Sequence, residues 1–305
     1  MRFLEKFSTN ISEFFPHFRG LNKGFAMLDE NSQEEVRMWI ISQQNGMGGF
    51  PDRGSKCDLY YTLFGFFLAD ALKLDTAMNK LKSYINIIEQ QPVQSNIELF
   101  CLAILHASLF PHDAGTDSYI RKIRKISKNG KALKDNYSSF LIILSLFYLR
   151  DYTGAVGMLK SLAHKNGETA TGETGDSKPA PVIAAQQILL FMKSMLPSGM
   201  KSNSFSGSWD NGAKPAKILS FYNGNGGFSA TTDAPGPDLL STAVALFTLK
   251  FIGYDLGLLR PDCLNFVGEL YQDGGFRSCA LDNKTDVEYT FYGLLALGSL
   301  AQELK

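Results

Sequence analysis

Apolar positions recur along most of this chain at three- and four-residue spacing, and two-residue alternation is scarce. The pattern predicts helices near 32–44, 58–73, 76–91, 94–109, 116–128 and 136–150. Further helices are predicted near 153–164, 181–196, 214–222, 238–253, 260–271 and 286–303. Ser32 and Glu35 make a capping-box pattern at the start of the first of these. Two polar stretches, 165–179 and 197–212, read as mobile loops, and residues 1–30 as an N-terminal extension. Helices opening at Asp58, Ser95, Tyr137, Pro181, Asp238 and Asp286 are the most apolar. Those opening near Ser32, Thr76, Thr116, Thr153, Lys214 and Arg260 carry more charge. Such alternation suits buried helices wrapped by an outer layer. The expected fold is all-α: an α/α toroid of about six helical hairpins, forming one domain over 1–305.

One phrase punctuates this pattern three times: Gly48-Gly49-Phe50, Gly226-Gly227-Phe228 and Gly274-Gly275-Phe276. Each is followed by a loop, an Asp, a Thr four residues on, and an apolar run: Asp58 with Thr62, Asp238 with Thr242, Asp286 with Thr290. A recurring phrase marks a repeated supersecondary unit. The glycines permit a tight turn and close backbone approach. The Asp stands where an N-cap belongs, so all three are expected at one end of the toroid.

Composition narrows the function classes. Thirty basic and thirty acidic residues cancel, so no charge footprint points to nucleic acid or an anionic membrane. No run reaches the ~18 apolar residues of a membrane span, and Met1–Phe7 does not resemble a signal peptide; a cytoplasmic location is expected by default. Cys57, Cys101, Cys263 and Cys279 form no CxxC pair. The 23 Phe and 12 Tyr suit a chain with much apolar surface to line, in a core or a pocket. His106 sits within an apolar helix and reads as a core histidine; His112, after Pro111, reads as a loop residue.

The repeated phrase resembles that of the prenyltransferase β-subunit and squalene-cyclase superfamily. The segment Gly48-Gly49-Phe50-Pro51-Asp52-Arg53-Gly54-Ser55-Lys56-Cys57-Asp58-Leu59-Tyr60-Tyr61-Thr62-Leu63-Phe64-Gly65 is similar to the geranylgeranyltransferase β-subunit repeat. Gln44 and Gln272 echo the Gln-to-aromatic motif of the cyclases. The resemblance implies a six-hairpin α/α barrel that handles isoprenoids. Protein prenyltransferases hold zinc through Asp-x-Cys in one repeat and Asp-x-x-His in another. Here the Asp recurs, but Asp58 is followed by Tyr60 and Tyr61, Asp238 by Leu240 and Ser241, and Asp286 by Glu288 and Tyr289. Zinc prefers thiolate, imidazole and carboxylate donors, so no metal ligand is assigned; Cys57, Cys279 and Glu288 are the substitutes within reach.

The family's Arg-x-x-Lys that holds the isoprenoid diphosphate is matched by Arg53 and Lys56, although the loop to Asp58 is one residue shorter. Tyr61 falls at a phosphate-contacting position, and Lys284 adds a cation near Asp286 or pairs with Asp282. The expected catalytic carboxylates are Asp58, Asp238 and Asp286. Tyr60, Phe64, Phe247, Tyr289 and Tyr292 are expected to line the cavity. The leading expectation is a prenyltransferase-like protein taking an isoprenoid diphosphate or other polyprenyl lipid. A transferase acting on proteins would also need a helical-repeat α-subunit. Two alternatives stay open: a terpene-cyclase-like enzyme with an Asp as proton donor, and a non-catalytic lipid- or protein-binding toroid.

Overall fold

The computed structural model describes residues 16–111, 113–128, 136–158, 215–224, 226–231 and 233–302. The predicted helix at 181–196, the polar stretches 165–179 and 197–212, and His112 lie outside them. The chain divides into two compact units. One joins the two ends of the chain, up to Pro92 and from Ile218; the other spans Val93–Lys217.

The terminal unit begins with α1 (Pro16–Phe25), α2 (Glu30–Gln43), α3 (Leu59–Ala71) and α4 (Asp75–Ile88). The middle unit holds α5 (Asn96–Leu109), α6 (Thr116–Ser127) and α7 (Asn136–Tyr148). After the five-residue α8 (Pro215–Leu219), the terminal unit resumes with α9 (Leu239–Phe251) and α10 (Arg260–Glu269). Three short antiparallel strands, β1 (Tyr271–Gln272), β2 (Gly275–Arg277) and β3 (Thr285–Asp286), then lead into α11 (Val287–Leu300).

Charge content predicts burial. In the terminal unit, α3, α9 and α11 are buried on most of their surface, whereas α2 buries only Val36 and Ile40, and α10 only Cys263, Phe266 and Val267. The middle unit shows the same contrast between α5 and the one-sided α6, which buries Tyr119 and Ile123. His106 is 3% exposed and packs against the rings of Phe110 and Tyr119, as a core histidine should.

Two local expectations are corrected. The first outer helix starts at Glu30, capped by Asp29, whose Oδ1 accepts the amides of Asn31 and Ser32. Ser32 is not the cap; its hydroxyl donates to Asp29, and the carboxylate three residues earlier takes the free amides. Within the expected N-terminal extension, residues 16–25 form α1. Gly20 and Gly24 make this segment a poor helix former by propensity, but they let α1 lie backbone to backbone against α11. A Cβ on Gly24 would run into the Leu294 carbonyl, and one on Gly298 into the Gly20 carbonyl.

All three Gly-Gly-Phe phrases adopt one conformation. The first glycine has positive φ (104° at Gly48, 88° at Gly226 and Gly274). Phe50, Phe228 and Phe276 are buried, and each donates its amide to the Thr of the following helix, at 3.0, 2.9 and 3.1 Å. Gln44 ties the first phrase outward, donating to the Gly48 carbonyl at 2.7 Å and the Ala77 carbonyl at 3.0 Å.

The same glycines order the hairpins. A Cβ on Gly48 would strike the backbone of Lys80 in α4, and one on Gly226 that of Asp262 in α10. Each time this is the charged helix that follows the phrase's own apolar helix in sequence. For Gly274, which precedes α11, the backbone met is that of Glu35 in α2. The N-terminal hairpin thus takes the place of the successor to α11. Among the described residues, no helix is long and apolar enough to cross a membrane.

Candidate functional site

The three capping aspartates set the frame. Asp58 Oδ1 accepts the amides of Tyr60 and Tyr61, Asp238 Oδ1 that of Ser241, and Asp286 Oδ1 that of Tyr289. Because α11 precedes α2 and α3 in the spatial succession, the starts of α3 and α11 come together. They are joined by a loop and by a side-chain pair.

The loop is the turn between α2 and α3. Asp52 Oδ1 accepts the amides of Gly54 and Lys56, and Ser55 sits at φ 68°. This turn sends Arg53 across to α11. Its Nε lies 2.5 Å from Asp286 Oδ2 and its Nη2 lies 2.8 Å from Asp282 Oδ2. The guanidinium carbon stands 5.1 Å from the Tyr289 ring centroid. Asp282 is itself anchored by the Ser278 hydroxyl at 2.5 Å and the Lys284 amide at 3.1 Å. Burial opposes its charge, but Ser278 and Arg53 outweigh burial and hold its carboxyl down at about 2. Burial also disfavours the charge on Arg53, yet the two carboxylates outweigh it and raise its pKa further. Asp286 is more deeply buried, and burial pushes it up against the pull of the Tyr289 amide and Arg53.

The side-chain pair is Tyr60 and Glu288. The Tyr60 hydroxyl donates to Glu288 Oε1 at 2.5 Å. Glu288 is 8% exposed. Burial first, and Asp286 next, push its carboxyl up to about 7, against the hydrogen bond from Tyr60 and the charge of Arg53. Burial also lifts the phenols of Tyr61 and Tyr289 to about 12, with Asp286 and Glu288 adding to it, so both are neutral at physiological pH.

Behind this polar rim lies an aromatic cluster. Tyr60 meets Phe64 edge-on at 5.0 Å, and Phe64 meets Phe291 at 5.2 Å and Tyr292 at 5.7 Å. Tyr60, Tyr61, Tyr289 and Tyr292 are half-buried although their helices are otherwise well covered. On α9 the half-buried residues Leu240, Val244, Phe247 and Phe251 follow helical spacing along one face. The rings of Phe247 and Phe251 stack at 6.5 Å.

Eight of the sequence-expected residues therefore meet: Arg53, Asp58, Tyr60, Tyr61, Phe64, Asp286, Tyr289 and Tyr292. Phe247 lies farther along α9, whose cap Asp238 adds a raising influence on Tyr289. Burial raises the carboxyl of Asp238 as well. Lys56 and Lys284 are exposed, and their backbone amides serve Asp52 and Asp282. Asp282 is paired with Arg53 rather than Lys284. Two residues central to the geometry entered the sequence reading only in other roles: Glu288 as a substitute zinc ligand and Asp282 as a partner for Lys284. Glu288 carried a signal: a carboxylate in the first turn of one of the most apolar helices.

The resemblance to prenyltransferases implies zinc, and the donor set does not fit it. At the starts of α3 and α11 the donors are Asp58, Asp286, Glu288 and Tyr61. Asp286 Oδ2 is covered by Arg53, Glu288 is close to neutral, and the Tyr61 phenol keeps its proton. Cys57 receives a hydrogen bond from Asn45 at 2.8 Å, and burial raises its thiol. Among the described residues no group of three or more His, Cys, Asp or Glu side chains is placed to hold a metal ion.

A protein-family model described as the prenyltransferase alpha-alpha toroid domain matches residues 21–91 and 205–304. Comparison with curated proteins returned no match, and comparison with solved structures returned none either.

Proposed function

This chain belongs to the prenyltransferase alpha-alpha toroid domain family, and on that premise we propose that it binds an isoprenoid diphosphate and transfers the prenyl group. The observation that carries this reading is a half-buried aromatic wall ending at a fixed guanidinium. Tyr60, Tyr289 and Tyr292, with the buried Phe64 behind them, and Phe247 on the half-buried face of α9 offer π faces to the hydrocarbon chain. Arg53 Nη1 makes no hydrogen bond among the described residues, so one edge of the guanidinium is open to a phosphate oxygen. Lys56 and Lys284, exposed on the two flanking loops, supply further charge, and the neutral Tyr61 phenol supplies a donor. Asp58, Asp238 and Asp286 fix the helix starts, and Asp286 aims Arg53. In the transfer, the carbon–oxygen bond to diphosphate breaks as the acceptor bonds to the prenyl carbon, and the acceptor gives up its proton.

Calorimetric titration with farnesyl and geranylgeranyl diphosphate tests this. Saturable binding weakened roughly tenfold or more in Arg53→Ala, the size of a lost charge-assisted hydrogen bond, supports it. Absence of binding by either diphosphate sinks it. Binding without prenyl transfer to any thiol, hydroxyl or amine acceptor favours the non-catalytic toroid.

One observation favours a cyclase as the second reading. Glu288 is a carboxyl near neutrality, buried beside aromatic rings, which suits protonation of an alkene. In that case Glu288, rather than an Asp, is the proton donor. Cyclised product from a linear polyprene, lost in Glu288→Gln, is the result that would establish it.

A further inference from the structure

We infer that Arg53 is a built-in cation standing where a bound metal ion would compensate Asp282 and Asp286, so that these carboxylates take no metal while Arg53 is present. The argument concerns charge compensation and holds whichever ligand the aromatic wall accepts. The side chains of Asp286 and Asp282 are only 8% and 12% exposed, and carboxylates so covered stay ionised only when a cation or hydrogen-bond donors compensate them. The cation can be a metal or a basic side chain. Here the guanidinium bridges the pair, one nitrogen on the Oδ2 atom of each, and its carbon lies 5.1 Å from the Tyr289 ring centroid.

The position is fixed from both sides. Asp52 folds the turn that carries Arg53, and Ser278 holds Asp282. A metal ion at the same oxygens, at the ~2.0–2.2 Å of carboxylate coordination, would lie almost on the guanidinium nitrogens and suffer their like charge. The surrounding donors add to the exclusion, because Tyr61 is a neutral phenol and Glu288 is engaged by Tyr60. The site has exchanged a removable cation for a covalently attached one.

The test compares the full-length chain with Arg53→Gln, Arg53→Lys and Arg53→Gln/Asp286→Asn. Each is titrated with MnCl2 and ZnCl2 by calorimetry and followed by thermal unfolding with and without chelator. The native protein is expected to show no stoichiometric site, and its Tm should ignore the chelator. Arg53→Gln should unfold at lower temperature and bind one of these ions at least tenfold more tightly than the native chain, with partial recovery of Tm. The double variant should lose that gain. Arg53→Lys, which keeps the charge, should resemble the native protein and serves as the control if Arg53→Gln folds poorly. A stoichiometric metal in the native protein that the double variant fails to bind would overturn the inference. So would an Arg53→Gln variant that folds but gains no affinity for either ion.

Discussion

Glu288 gives this protein a pH dependence of unusual sign. An unfolded glutamate loses its proton near 4.5, whereas burial keeps this one protonated to about 7. Between those values the folded state holds the extra proton, so stability falls as pH rises from about 4.5 to about 7 and levels off above. The full effect is on the order of 3 kcal/mol. Glu288→Gln removes this slope: urea midpoints should be similar at pH 5, with the variant the more stable at pH 8. Parallel profiles would refute the assignment. Asp282 acts in the opposite direction. Its stabilising contribution is complete above the usual carboxylate range and disappears as pH falls through about 2. Arg53→Ala strands Asp286 without its cation. The expected loss is roughly 1–3 kcal/mol, below the fully buried range because Arg53 remains a third exposed to solvent. Denaturant unfolding measures it directly.

At the scale of elements, the Gly-Gly-Phe phrase and the Thr of the next helix act as one fastener. The Phe ring is buried, and the Thr hydroxyl accepts its amide. Thr62→Val, Thr242→Val and Thr290→Val keep the shape but leave that amide unsatisfied. Each should cost about 1–3 kcal/mol, and chemical denaturation should show similar losses at all three sites. A near-neutral result at one site would mean that its phrase relaxes to water. The residues of each fastener were legible in the sequence because they recur as fixed types, whereas the bond between Phe amide and Thr hydroxyl came only with the structure. The cap of α2 was not legible, because Asp29 and Ser32 are both good caps and only the packed helix start decides between them.

At the scale of the whole molecule, the two ends of the chain form one unit. The N-terminal α1 joins it to α11 through glycine contacts that admit no side chain. Gly298→Val should therefore push α1 away from α11. The expected destabilisation is at least ~2–3 kcal/mol, with increased hydrogen exchange concentrated in α1 and α11. An unchanged exchange pattern in α1 would show that its packing contributes little to the unit. Because the third phrase is followed in space by α2, residues 233 positions apart, Arg53 and Asp286, become partners.

The amino-acid pattern alone determined the helical class, the distinction between buried and one-sided helices, and the three phrases with their capping aspartates. These follow from local periodicity and from turn chemistry confined to a few consecutive residues. The resemblance to the prenyltransferase repeat added Arg53 as a candidate, and the apolar helices supplied most of the aromatic wall. Only the tertiary structure decided that Arg53 belongs to Asp282 and Asp286, that Glu288 is shared with Tyr60, and that α1 is part of the fold. Those features depend on which helix succeeds α11 in space. A charged side chain a few ångströms from its partner can lie anywhere in the sequence, and its partner is set by closure of the chain ends rather than by its neighbours along the chain.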